Sequence, residues 1–206
     1  MLRKVAEIVS FIFHPLLMST FLLIILYYFA PSVLRPVDAG SILPILLMVF
    51  AITFVIPVLS IGMLRLTSSI SSMRLEDRKE RIMPFFFTAA YYSLMVYLFS
   101  YKLVLSETLI ILFAAVTVTI LLVSFITLFF KISAHAVGMW GALGALVSVQ
   151  VKYPDSQLFW PIIGSLVLAG AVNSSRLLLN VHSPSEVGLG SALGFTVCFG
   201  AVFIFS

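Results

Sequence analysis

Apolar residues along this chain fall into seven long runs separated by short polar joints: 8–30, 42–66, 83–101, 108–130, 134–151, 158–181 and 187–206. A run of about 18 or more such residues suits a hydrocarbon layer ~30 Å thick, because a helix rises ~1.5 Å per residue. The pattern predicts an all-α, polytopic transmembrane helix bundle of six to seven membrane segments. The run 134–151 is the shortest and is rich in glycine. Short joints leave no room for a second domain, so residues 1–206 read as a single integral-membrane domain. The first run is too long, and too poor in a small-residue cleavage site, for a removable signal peptide.

Composition sharpens this picture. Apolar residues make up 62% of the chain and charged ones only 10%, with a mean hydropathy of +1.19. That excludes a soluble domain and leaves few side chains able to do chemistry. The formal charge of +4 would suit nucleic acid in a soluble protein. In a bilayer it suits anionic headgroups or phosphates, and no nucleic-acid partner is expected. Cys198 is the single cysteine, which rules out a cysteine-based metal cluster. Internal repeats and low-complexity tracts are lacking.

Three polar fragments stand out against this background: Arg74 to Pro84, Ser133-Ala134-His135, and Ser175-Arg176 followed by His182 and Glu186. Each has an ordinary structural explanation. The first reads as a solvated joint whose ion pairs are individually weak. Ser133 reads as the N-cap of the run that follows. Ser183-Pro184-Ser185-Glu186 reads as a helix start, with Ser183 as N-cap and Glu186 closing a capping box. Arg176 reads as a snorkelling cation at a helix end.

Each also has a chemical explanation. His182 and Glu186 are four residues apart, so the carboxylate could hold one ring nitrogen and leave the other to attack. Capping and orienting compete for that one carboxylate. The Arg176 fork suits phosphate oxygens, and His135 suits a general acid. An even number of crossings separates the fragments, which places all three at one membrane face. His14, before Pro15 inside the first run, reads as a polar residue hydrogen-bonded within the bundle.

Together the fragments resemble the motifs of the type 2 phosphatidic acid phosphatase superfamily: Lys-x6-Arg-Pro, Pro-Ser-Gly-His and Ser-Arg-x5-His-x3-Asp. Ser175-Arg176, His182 and Glu186 keep the spacing of the third, with Glu for Asp. Ser133-Ala134-His135 follows the second, with Ile132 for Pro and Ala134 for Gly. Arg74 and Arg81 keep the gap of the first, with Arg for Lys and the proline displaced to Pro84; Lys79 and Arg78 are alternative cations. The resemblance implies hydrolysis of a lipid phosphate through a phosphohistidine, without metal or other cofactor. It implies His182 as nucleophile, Glu186 as its orienting acid and His135 as the acid releasing the alcohol. Arg176, Ser133, the backbone near Ala134 and the cations Arg74, Arg78, Lys79 and Arg81 would hold the phosphoryl oxygens. Membrane members of the family usually have six spans, one fewer than the runs counted here.

The implied partners are the bilayer and a lipid phosphate: phosphatidic acid, phosphatidylglycerol phosphate, polyprenyl pyrophosphate or a lipid-A-type phosphate. The rival reading is a catalytically impaired relative that binds or transports anionic lipids with the same basic pocket. A Mg²⁺-dependent transferase would need clustered carboxylates, and Glu76, Asp77 and Glu80 are interleaved with or flanked by four cations. A serine hydrolase would need a Gly-x-Ser-x-Gly elbow, which does not occur. Gly190, Gly194 and the small residues Ala134, Gly138 and Ala142 read as close helix packing. The expected location is the cell (inner) membrane. With the fragments and Lys131 set aside, three cations remain on each face, so the positive-inside rule is neutral. The resemblance implies a site facing the periplasm or lumen.

Overall fold

The computed structural model describes residues 1–38, 40–72, 75 and 77–206. Among them there is no strand; nine α-helices follow in chain order. They are α1 (Leu2–Ile12), α2 (Met18–Phe29), α3 (Ile42–Phe50), α4 (Ile56–Leu66), α5 (Ile82–Tyr101), α6 (Glu107–Thr127), α7 (Ala134–Lys152), α8 (Phe159–Leu178) and α9 (Pro184–Phe205). They build seven helical stretches long and apolar enough to cross a membrane, so the protein is an all-α polytopic bundle.

Seven stretches are made from nine helices because two of the apolar runs are interrupted. The first breaks at His14-Pro15: proline has no N–H and pushes its predecessor out of the helical region. His14 is accordingly extended, with φ −65° and ψ 135°, and a 3₁₀ turn over Pro15–Leu17 leads into α2. The second passes through a π-helical turn at Ala51–Val55, just before Pro57. A missing amide there favours a widened turn over a break.

The spine of the bundle is the pair α7 and α9. A Cβ on Gly194 would lie 2.3 Å from the Val137 carbonyl oxygen, and one on Gly144 would lie 2.5 Å from that of Phe195. Backbone therefore meets backbone, which only glycine permits. The close packing predicted at Gly194 is found there, as it is at Gly190, where a Cβ would lie 2.9 Å from the Ser133 carbonyl oxygen. Ala134 and Ala142, by contrast, line a cavity. Gly138 instead faces Pro15 and Met18. Around this spine, α6 packs on α5 and α9, α2 and α8 pack on α7, and α1 packs on α8.

Hydroxyls inside the bundle mostly bond to their own helix. Thr88, Thr117, Thr119, Ser124 and Thr127 each donate to the carbonyl four residues back, which satisfies them where water is excluded. The core is carried by Leu22, Leu26, Met95, Phe99, Leu109, Phe113 and Leu146, all buried. Phe125, Trp160, Val167, Ile204 and Phe205 face outward, as a lipid-facing surface requires.

Candidate active site

Four helix ends meet at one end of the bundle, as the even number of crossings predicts. The starts of α5, α7 and α9 and the end of α8 surround a cavity of about 180 Å³, lined by Arg81, His135, Arg176 and His182 among others. All three polar fragments therefore contribute to one site.

His182 owes its position to two local devices. Asn180 adopts the left-handed conformation (φ 56°) just past the end of α8, a position that asparagine tolerates better than most residues. Its N–H bonds to the Leu177 carbonyl at 2.9 Å, and the chain turns sharply back. Ser183 then caps α9, its hydroxyl accepting the Glu186 N–H at 3.3 Å. The Glu186 carboxylate accepts instead from His182 Nδ1 at 2.5 Å. The competition left open by the sequence is thus decided in favour of orienting the histidine.

With Nδ1 held, Nε2 is the nitrogen left to the cavity. His182 is 8% exposed. Burial lowers its pKa to about 4, and the nearby Arg81 and Arg176 guanidinium groups push the same way, against the Glu186 hydrogen bond and charge that oppose them. The ring is neutral at pH 7, with a lone pair on Nε2.

Arg81 is the cation that the first fragment contributes. It is 5% exposed and fixed by two carbonyls: Nε donates to Leu75 at 2.6 Å and Nη1 to Ile132 at 3.2 Å. Leu75 is itself left-handed, with φ 50°. The Ile132 contact ties Arg81 to the residue preceding Ser133. Pro84 also lines the cavity.

The other predicted cations are placed differently. Arg78 Nη1 donates to the Thr127 carbonyl at 3.0 Å and to the Leu128 carbonyl. It satisfies the open C-terminal end of α6 and does not line the cavity. Lys79 is exposed at the outer rim and does not line it either. Arg74 lies outside the described residues.

Ser133 is fully buried and absent from the cavity wall. Its hydroxyl accepts from the Ala136 N–H at 3.4 Å, capping α7. Its N–H donates to the Glu186 carbonyl at 3.2 Å, joining the starts of α7 and α9. The ordinary reading of Ser133 therefore holds, and its expected phosphate contact is corrected: the side chain is buried in the cap and does not reach the cavity wall.

His135 does line the cavity. Its Nε2 lies 3.0 Å from the Ser10 carbonyl oxygen. A carbonyl can only accept, so Nε2 carries a hydrogen and Nδ1 is the position free to gain or lose a proton. Sequence reasoning missed His14, which reaches the same wall and stands edge-to-face with His135, ring centroids 5.6 Å apart. The available signal was a His-Pro pair inside an apolar run, where proline turns the chain and exposes a polar side chain. Arg176 lies within electrostatic reach of all three histidines.

The cavity continues inward to Tyr92 and Cys198, between apolar walls that include Leu22 and Ile120. Tyr92 lies roughly ten residues along α5, about 15 Å below its start, which is half the ~30 Å hydrocarbon layer. Among the described residues no Asp or Glu lines this space, and no three potential metal ligands cluster anywhere. Two guanidinium groups and three imidazoles at the mouth of a low-dielectric shaft are suited to a doubly charged anion. No family model, curated protein or solved structure matches this chain.

Proposed function

We propose that the protein is a lipid phosphatase of the type 2 phosphatidic acid phosphatase kind. The observation that carries this reading is the meeting of the His182–Glu186 pair with Arg81, Arg176 and His135 around one cavity. The substrate is a lipid phosphate whose headgroup sits at the cavity mouth in a cell membrane, on the periplasmic or lumenal face.

In the first step the His182 Nε2 lone pair attacks phosphorus and the P–O ester bond breaks. The substrate's two negative charges favour the doubly protonated His135 ring, whose Nδ1 proton passes to the leaving alkoxide while Nε2–H stays on the Ser10 carbonyl. The His182 ring becomes a phosphorylated imidazolium, and its charge is matched by Glu186 at Nδ1. In the second step neutral His135 Nδ1 removes a proton from water, whose oxygen attacks phosphorus. The P–N bond breaks, inorganic phosphate leaves, and both rings return to their starting states. Arg81 and Arg176 hold the equatorial oxygens throughout, supplying the positive charge that a transferring phosphoryl group needs.

The test is phosphate release from a panel of lipid phosphates in detergent, with EDTA present. Release that persists in EDTA, disappears in His182→Ala and is inhibited by vanadate supports the reading. Full activity in His182→Ala would refute it. Phosphate binding without turnover, equal in wild type and His182→Ala, would establish the lipid-binding reading instead.

A further inference from the structure

His14 has no place in the three motifs, yet it stands half-buried at the cavity wall beside His135. Its surroundings fix its chemistry. Pro15 holds it extended, and the Leu16 N–H is directed at its Nδ1, 3.4 Å away. That N–H needs a lone pair, so Nδ1 carries no hydrogen and the single ring hydrogen sits on Nε2. Phe54 from the π-helical turn packs edge-to-face on the ring from another side, centroids 6.4 Å apart. The charged and titratable groups that face His14 are His135 from α7 and Arg176 from α8, with Arg81 and His182 on the same cavity wall.

From this geometry we infer that His14 is a fixed, neutral hydrogen-bond donor, its Nε2–H aimed at an oxygen of the phosphoryl group or of the leaving alcohol. This inference rests on the phosphatase reading and extends it. The two neighbouring histidines divide the work. His135 keeps one hydrogen on Ser10 and exchanges the other at Nδ1. His14 exchanges none, because the Leu16 amide occupies the only nitrogen that could take one. A neutral donor next to His135 adds no positive charge to oppose protonation there, whereas a second imidazolium would. Neutral imidazole is an effective electrophile where a proton must be shared without being lost.

The same hydrogen bond makes His14 a cap on the Pro15–Leu17 turn, so the test must separate cap from donor. Asparagine is among the best caps but its amide is too near the backbone to replace Nε2–H. Glutamine places an amide N–H near the Nε2 position and is a poor cap. We expect His14→Ala to lower kcat about 100-fold with KM little changed, as for loss of one preorganised donor. His14→Gln should regain at least about tenfold of that, and His14→Asn should stay with alanine. The pH profile of His14→Gln should keep the wild-type shape. Recovery in asparagine but not glutamine would overturn the inference, as would wild-type rates in alanine or loss of a pH limb in glutamine. Titration with orthovanadate gives an arm that does not need turnover, with the same ranking expected for affinity. If wild type releases no phosphate, the phosphatase reading falls while the donor role is judged on that ranking alone.

Discussion

The two ends of the bundle handle polar groups in opposite ways. At the end away from the cavity, neutral groups close on one another. Gln157 N–H donates to the Phe29 carbonyl at 2.7 Å, the Ser106 hydroxyl to the Val33 carbonyl at 2.5 Å, and Gln150 accepts from Leu158 N–H at 3.0 Å. Thr108 bonds both Tyr153 and Ser206, at 2.6 and 2.8 Å. These contacts satisfy helix ends and loops, as a membrane protein must. At the cavity end, three histidines from distant parts of the chain are each fixed at one ring nitrogen. His182 is held at Nδ1, His135 at Nε2 and His14 at Nδ1. One end is polar in order to close the structure. The other holds its polar groups ready for something else.

The largest break in this contrast should come from His182→Ala, which is expected to lower EDTA-insensitive phosphate release by at least about 10⁴-fold. Detergent-solubilised protein should remain monodisperse. Arg81→Lys and Arg176→Lys come next, each with about a 10²–10³-fold loss of kcat, because a point charge does not replace a planar fork on phosphate oxygens. Initial rates with a single lipid phosphate would measure both.

Gly194→Ala affects the spine that holds the two ends together. A methyl group there collides with the Val137 carbonyl and should cost about 1–3 kcal/mol, read as a lowered thermal midpoint. At the closed end, Thr108→Val should cost only about 1 kcal/mol and leave kcat unchanged. A large activity loss there would remove the distinction between the ends.

The smallest expected effect concerns pH. Neutral His182 is the attacking form, and its pKa is lowered to about 4. The His182 ring resonances of the free protein should therefore stay unchanged as pH falls from 7 towards 5 and titrate near 4. A titration centred near the ordinary histidine value of about 6.5 would show that His182 is not buried among cations.

Much of this was legible in the sequence, for a physical reason. In a chain this apolar, an ionisable residue is conspicuous, and the parity of crossings fixes which ones share a face. The seven runs, the His182–Glu186 spacing and the glycine contacts at Gly190 and Gly194 follow from local rules. What was not legible depended on where side chains turn in three dimensions. Arg78 and Arg81 are three residues apart, yet one closes the end of α6 and the other enters the cavity. Ser133 looked like a phosphate ligand and a cap alike, and only its packing, with the hydroxyl capping α7 and the N–H tied to α9, shows it buried away from the cavity. His14 was read as an internal polar contact because the break at Pro15 brings it beside His135 only after α2 folds along α7.

The convergence of three helix starts has a consequence for how ionic strength acts on the protein. Each start brings the positive end of a helix dipole, about half a charge, to the same end of the bundle. Mobile ions weaken attraction between surface charges beyond ~8 Å at physiological salt, but they penetrate poorly into a recess walled by hydrocarbon. Affinity for a doubly negative guest should thus change little between dilute buffer and molar salt, whereas attraction by exposed Lys79 at the rim should fade.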